Sequence, residues 1–359
     1  MKIGILTFHN TTNYGAALQA YALQQKFMQL GAECDIVDYH CASIEQREAV
    51  VTPKYNGGIY AFACAWKDYI HKHSKYKVLK SFIDRNMKLS SISYSKKNIK
   101  EANHAYDKFV VGSDMVWELG ITGCDTTYML DFADYSKKYS YAASLGVDKI
   151  ADGHIATVKN NLETFSQISV RESHGKSVLE NIISKDIRVD VDPTLLHNGD
   201  FWSRICEYEE NMPQEYILLY FLDGRGVMLD VARKISVEKS LPIVLLSDVD
   251  VAIDGVKVVR NCSVGEFLGW IKKATLVITG SYHGMLFSMN FNTQFMYYNR
   301  ANSSRMESIA QYGNVQNRRI VDENIFPDDR IDFSEVNPLL ENMRTGSIEY
   351  LEKIVTNKL

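Results

Sequence analysis

Two doubly wound α/β domains facing one cleft are the fold class that this sequence predicts. Three observations lead there. Short apolar runs alternate with longer amphipathic stretches over most of the chain, the pattern of parallel strands joined by crossover helices. The alternation opens with a strand, a helix and a second strand, a βαβ start. It then divides near Pro193–Pro213 into two series, and 359 residues suffice for two cores of ordinary size.

The first series begins with Ile3–Phe8, an apolar run that reads as a buried strand. A helical pattern follows from Ala16 to Leu30, with Gly31 placed to cap its C-terminus. Asp35–Tyr39 reads as the second strand. The stretch Cys41–Asn103 breaks the rhythm: it is rich in Lys and Tyr, carries a helix over Lys67–Asn86, and reads as an insertion. Strands return at Phe109–Val111, Tyr139–Ala142, Ile168–Val170 and Ile187–Val191, and the turn-forming Asp192-Pro193 ends the series.

The second series runs through Tyr216–Phe221, Ile243–Leu246, Val256–Val259, Leu276–Thr279 and Phe295–Tyr298. Ser263 and Glu266 have the spacing of a capping box opening the helix that leads to Lys273. The expected domains are 1–190 with the insertion 41–103, 191–330, and a C-terminal segment 331–359 whose amphipathic part, Ser347–Lys358, packs on the body.

Composition narrows the function classes. Forty basic against forty-four acidic residues leave a formal charge of −4, so no bulk pull toward nucleic acid is expected. The six cysteines form no C-x-x-C pair and fit a reducing compartment. The opening apolar run is too short for a signal-peptide core, and Ile59–Trp66 is too short to span a bilayer. A cytoplasmic protein is expected, soluble or at most held at the inner face of the membrane.

Four loops at strand ends carry residues suited to chemistry. The first is His9–Ala17, where Asn13, Tyr14 and Gly15 lie between the first strand and its helix, the place where open α/β sheets bind ligands. Its plain structural alternative is a βα turn with Asn and Thr as caps. The second is Val111–Trp117, where Ser113 and Asp114 can meet hydroxyls and the Trp117 indole can stack on a sugar face. There the alternative is a helix cap with Trp117 in the core. In the third, Ser169–Ser173, Arg171 can grip a carboxylate or phosphate through two parallel hydrogen bonds, or else make a structural ion pair. The fourth, Thr279–Met285, sets His283 in the first turn of a helix beside Ser281, Tyr282 and Gly284. A helix N-terminus attracts anions, and an imidazole there is ready for proton transfer. A buried, hydrogen-bonded histidine is the alternative. The pairs Asp190/Asp192 and Asp248/Asp250 have D-x-D spacing but read as turn residues rather than metal ligands, so no metal is expected.

Six stretches then occur in a recognisable order: Lys2–Gln24 (KIGILTFHNTTNYGAALQAYALQ), Phe109–Trp117 (FVVGSDMVW), Ser140–Gly146 (SYAASLG), Ile168–Glu172 (ISVRE), Val191–Leu195 (VDPTL) and Val277–Ser288 (VITGSYHGMLFS). In this order and spacing the chain resembles the polysaccharide pyruvyl transferase family. The resemblance implies a GT-B-like fold and phosphoenolpyruvate as donor, with no further cofactor. It also implies a sugar acceptor, lipid- or nucleotide-linked, and as product a pyruvate ketal on a capsular, exopolysaccharide or cell-wall glycan.

By position, Arg171 and His283 match the family's arginine and histidine, and Arg305 matches its Ser-Arg pattern as a second anion ligand. The donor is then expected at Arg171, Ser281, Tyr282, His283, Gly284 and Arg305. The acceptor is expected at Asn13, Tyr14, Gly15, Ser113, Asp114 and Trp117. Two rival readings stay open: a nucleotide-sugar glycosyltransferase on the same fold, and a glycan-binding protein without catalysis.

Overall fold

The computed structural model describes residues 1–50, 52, 59–221, 225–247, 251–299 and 304–357. The chain divides into two compact units. The first comprises Met1–Ala49, Ile83–Leu196 and Leu340–Leu359, and the second Val50–Phe82 and His197–Leu339.

In the first unit, strands β1 (Lys2–Leu6), β2 (Glu33–Ile36), β3 (Lys108–Val111) and β4 (Lys138–Ser140) form a parallel sheet in the order β2-β1-β3-β4. β5 (Ile168–Val170) and β6 (Ile187–Val189) pair in parallel, and isolated bridges Tyr139–Gln167 and Ala143–Val170 carry β4 on to β5. The strands are short and almost wholly buried, as a parallel sheet covered on both faces requires. The helix Tyr14–Gln29 closes as expected at Gly31, whose φ is 84°. Gly31 N–H bonds Met28 O at 3.0 Å and Ala32 N–H bonds Phe27 O at 3.0 Å, a Schellman motif.

Two expectations shift here. The second strand ends at Ile36, because Asp38 and Tyr39 turn away to meet the segment around Ser90–Tyr94. The stretch expected as an insertion is partly built into the sheet edge: Leu89 bridges Ile36 and Tyr94 bridges Tyr39. Its long helix runs Ile59–Asn86, starting before Lys67.

The C-terminal helix, Phe333–Thr356, also begins earlier than the amphipathic pattern suggested. From Leu340 it belongs to the first unit, where several buried contacts pin it. Ser347 Oγ donates to Asp190 Oδ1 at 2.9 Å, Tyr350 OH to Ser140 O at 2.9 Å, and Lys108 Nζ to Ile354 O at 2.5 Å.

The second unit holds one parallel sheet of β7 (Ile217–Tyr220), β8 (Ile243–Ser247), β9 (Val256–Arg260), β10 (Leu276–Thr279) and β11 (Phe295–Tyr297), in the order β11-β10-β7-β8-β9. Its core packs Ile217, Leu219, Ile243, Leu245 and Ile278 against Met228, Val231 and Ile235 of the helix Arg225–Lys239. The helix Val264–Lys273 opens with the expected capping box of Ser263 and Glu266. The pair Asp248/Asp250 lies outside the described residues. Among the described residues, no helix is long and apolar enough to cross a membrane.

Each strand order reverses once. The reversal falls between β1 and β3 in the first unit and between β7 and β10 in the second. In open α/β sheets the crevice outside the strand C-termini at such a reversal is where ligands bind.

Candidate active site

In the first unit the loops leaving β1 and β3 are wired together at that reversal. Thr7 Oγ1 donates to Ser113 O at 3.2 Å. Gln19, on the helix that follows β1, donates to Thr7 Oγ1 at 2.9 Å and accepts from Ser113 N–H at 3.1 Å. Ser113 Oγ donates to Ala142 O at 2.7 Å. The chain must pass very close to the strand-end loop after β4: at Gly112, φ is 116° and a Cβ would lie 2.2 Å from Tyr141 O, so only glycine fits.

Arg171, one residue past β5, reaches into this loop. Its Nη1 donates to Asp192 Oδ2 at 2.8 Å and to Ser113 Oγ at 3.4 Å. Nη2 lies 3.9 Å from Asp114 Oδ1, and Nε 3.9 Å from Glu172 Oε2. Asp192 is itself fixed, since its Oδ1 accepts from Thr194 N–H at 3.0 Å and Thr194 Oγ1 at 2.7 Å. Glu172 accepts from Ser144 Oγ at 2.8 Å. One buried guanidinium thus stands among three carboxylates.

Arg171, expected as a grip on the donor, takes in this structure the alternative left open for it. With a side chain 1% exposed and Nη1 engaged by Asp192, it is an internal ion pair rather than an open anion clamp. The expected stacking role of Trp117 is corrected. Trp117 is 2% exposed, its indole N–H donates to Tyr128 O at 2.9 Å, and its ring meets Phe165 edge-on at 6.0 Å. An indole in the core has no free face for a pyranose.

The remaining residues expected at the acceptor lie around the loop. Asn13 caps the helix, its Oδ1 accepting from Gly15 N–H at 2.8 Å and Ala16 N–H at 3.2 Å, while Tyr14 and Gly15 are buried in the first turn. Ser113, Asp114 and Arg171 are brought together; Trp117 is not part of that group. Sequence reasoning missed Asp192, taking it for a turn residue, although it lies within the VDPTL stretch that carried the resemblance.

At the same loop's outer edge, His9 Nε2 lies 3.0 Å from Asp38 Oδ1, and Ser93 Oγ bonds the other Asp38 oxygen. The His9 hydrogen bond, helped by Ser93 and against the effect of burial, holds the Asp38 carboxyl well below the usual carboxylate range. His40 pairs with Glu45 and lies 3.4 Å from Asp38. The Glu45 hydrogen bond raises the His40 imidazole against its partial burial.

In the second unit the helix Tyr282–Asn290 starts directly above the end of β10. Ser281 Oγ caps it by accepting from Gly284 N–H at 3.3 Å. Thr279 Oγ1 donates to Tyr220 O at 2.6 Å and accepts from Ser281 N–H at 3.0 Å, tying the loop to the end of β7. At Gly284 a Cβ would lie 2.5 Å from Thr279 Oγ1 and 3.1 Å from Tyr220 Cδ1, so glycine lets the helix sit down on the strand ends. His283 occupies the second helical position, partly exposed, its ring edge-on to Tyr282 at 5.3 Å. N–H groups of a first turn point out of the helix and favour anions. Arg305, also partly exposed, lies in the first turn of the helix Ser304–Tyr312 after β11. Among the described residues, no group of three or more His, Cys, Asp or Glu is arranged to hold a metal ion.

Comparison with known proteins fits this picture. A UDP-GlcNAc 2-epimerase from Methanocaldococcus jannaschii, solved with UDP-GlcNAc and UDP, superposes with a TM-score of 0.52 at 15% identity, covering 99% of this chain and 100% of that one. The UDP-N-acetylglucosamine 2-epimerase of Rickettsia bellii gives a TM-score of 0.52 at 9% identity, covering 98% of each chain. Likeness at such identity shows the fold alone, and that fold is of the GT-B class. No curated protein matches the sequence. The family model for polysaccharide pyruvyl transferase matches residues 13–302, a span holding every residue described above at the two strand reversals except Thr7, His9 and Arg305. With well over half of its length matched, the chain belongs to the polysaccharide pyruvyl transferase family.

Proposed function

We propose that the protein transfers the pyruvyl group of phosphoenolpyruvate to two hydroxyls of a sugar acceptor, forming a ketal and releasing phosphate, in the assembly of a capsular, exopolysaccharide or cell-wall glycan. The observation that carries this reading is the capped helix start at Ser281–Gly284, which sets a partly exposed histidine beside first-turn N–H groups at the strand reversal of the second unit.

The donor bears a carboxylate and a phosphate on one small enol. First-turn N–H groups and the Arg305 guanidinium offer anchors for these charges. Arg171 is left out of donor binding, since its charge is met internally. Ketal formation begins when the methylene carbon takes a proton and positive charge develops at the adjacent carbon. His283 is the group proposed to supply that proton. One sugar hydroxyl attacks, phosphate leaves with the C–O electron pair, and the second hydroxyl closes the ring. Two hydroxyl protons are released: one balances the proton taken by the methylene carbon, the other leaves with phosphate. Ser113 and Asp114, with the Asn13–Gly15 turn, are assigned to the acceptor, which is lipid- or nucleotide-linked and met on the cytoplasmic side.

The test is ligand-dependent stability. At a hundredfold excess over Kd, phosphoenolpyruvate should stabilise the protein by about 2.7 kcal/mol. His283→Ala should keep most of that shift and lose about a hundredfold or more in phosphate release. A shift with UDP, GDP or CMP sugars and none with phosphoenolpyruvate would overturn the reaction and leave the fold standing.

A further inference from the structure

Three carboxylates surround the Arg171 guanidinium, and they differ in access. The side chains of Asp192 and Glu172 are 0% and 3% exposed, whereas that of Asp114 is 13% exposed. Asp114 is therefore the one of the three through which the network reaches the surface, at the strand reversal of the first unit. Its backbone has φ 68°, a left-handed conformation that side-chain-bearing residues avoid. Two bonds hold it there: Ser144 N–H donates to Asp114 O at 2.9 Å, and Met115 N–H to Asp114 Oδ1 at 2.9 Å. Ser113, just before it, is clamped by Thr7, Gln19 and Ala142.

The order of these contacts has a direction. Thr194 fixes Asp192, Asp192 fixes Nη1 of Arg171, and the same guanidinium meets Ser113 Oγ and faces Asp114. A guanidinium is a rigid planar fork, so orienting one nitrogen orients the others. We propose that Asp192 is a positioning residue for the acceptor. Acting through Arg171, it holds the Asp114 carboxylate ready to accept hydrogen bonds from the paired hydroxyls of a pyranoside. This rests on the pyruvyl-transfer reading, which requires two hydroxyls of one sugar. A fixed carboxylate suits that demand because its oxygens have acceptor capacity for both, with no ordering left to be done on binding.

The experiment uses the full chain and methyl galactoside, glucoside and mannoside as probes, titrated by NMR without donor. Wild type should bind at least one of the three. Asp114→Asn and Arg171→Lys should each weaken that binding about tenfold, the loss expected for a hydrogen bond to a charged group. The double variant should bind no more weakly than Asp114→Asn alone, because both changes act on one contact. Asp192→Asn should reproduce Arg171→Lys, and Asp192→Glu should recover part of the loss. Thermal stabilisation by phosphoenolpyruvate should persist in Arg171→Lys, a result that general loss of structure does not give.

Independent, additive losses in the double variant overturn the proposal. So does a lost phosphoenolpyruvate shift with intact glycoside binding, which returns Arg171 to the donor. Failure of wild type to bind any of the glycosides overturns it as well. A wild type that binds glycosides but ignores phosphoenolpyruvate overturns the reaction assigned above, and the acceptor measurements still decide the role of Asp192.

Discussion

Gly284→Ala probes the seat of the proposed proton donor. The added Cβ would stand 2.5 Å from Thr279 Oγ1, where real Cβ atoms stay beyond 3.0 Å, so something must move by at least about 0.5 Å. Thr279 is poorly placed to yield, since its hydroxyl bonds Tyr220 O at 2.6 Å and Ser281 N–H at 3.0 Å. The first turn of the helix has to lift instead, taking His283 with it. Overpacking of this kind costs about 1–3 kcal/mol, and the better helix propensity of alanine offsets about 1 kcal/mol. A net loss of up to about 2 kcal/mol corresponds to a Tm lower by up to about 8 °C. Turnover should fall further, by about tenfold, because reacting groups tolerate displacements of this size poorly. Calorimetry and phosphate release from phosphoenolpyruvate measure the two effects. Thr279→Ala removes the blocking oxygen, so the double variant should be more stable than the sum of the single losses by about 1 kcal/mol. A Gly284→Ala protein with wild-type Tm and turnover, or strictly additive losses, would refute this account of the helix start.

Asp190→Asn removes the charge that Arg188 grips through two bonds of 2.7 and 2.8 Å, and that also receives Ser169 and Ser347. The expected loss is about 3 kcal/mol, the low end for breaking a buried pair, because Arg188 keeps some contact with water. A lower urea midpoint at unchanged slope checks it. The cluster at His9, Asp38 and His40 predicts a pH window. Asp38, depressed when folded, contributes stability present above its ordinary carboxylate value and lost as pH falls through the folded one. His40, raised when folded, contributes stability present below its ordinary imidazole value and lost as pH rises through the folded one. The cluster should therefore stabilise most between about pH 4 and 6.5. In Tm profiles, His40→Gln should flatten the decline above that window, and Asp38→Asn the decline below it.

Much of the fold was legible because parallel strands buried on both faces write themselves as apolar runs. Ile217–Tyr220, Ile243–Ser247 and Leu276–Thr279 fall within a residue of where the pattern put them. Caps were legible for a similar reason, being local: Gly31 and the Ser263–Glu266 box need only neighbours in sequence. The return of Leu89 and Tyr94 to the sheet edge was hidden, since edge pairing by isolated bridges leaves no periodic trace.

The sequence by itself determined the α/β class, the two series of elements, the family, and the strand-end loops that carry the candidate residues. Those properties depend on local patterns and on motifs in order. Only the tertiary structure decided which of those side chains are enclosed or paired. Trp117 suits a sugar face by its chemistry, yet Phe165 and Tyr128 enclose it. Arg171 suits an anion, yet Asp192, twenty-one residues on, has already met its charge. Burial and charge pairing are set by residues distant in sequence, and a side chain's availability follows from them rather than from its type.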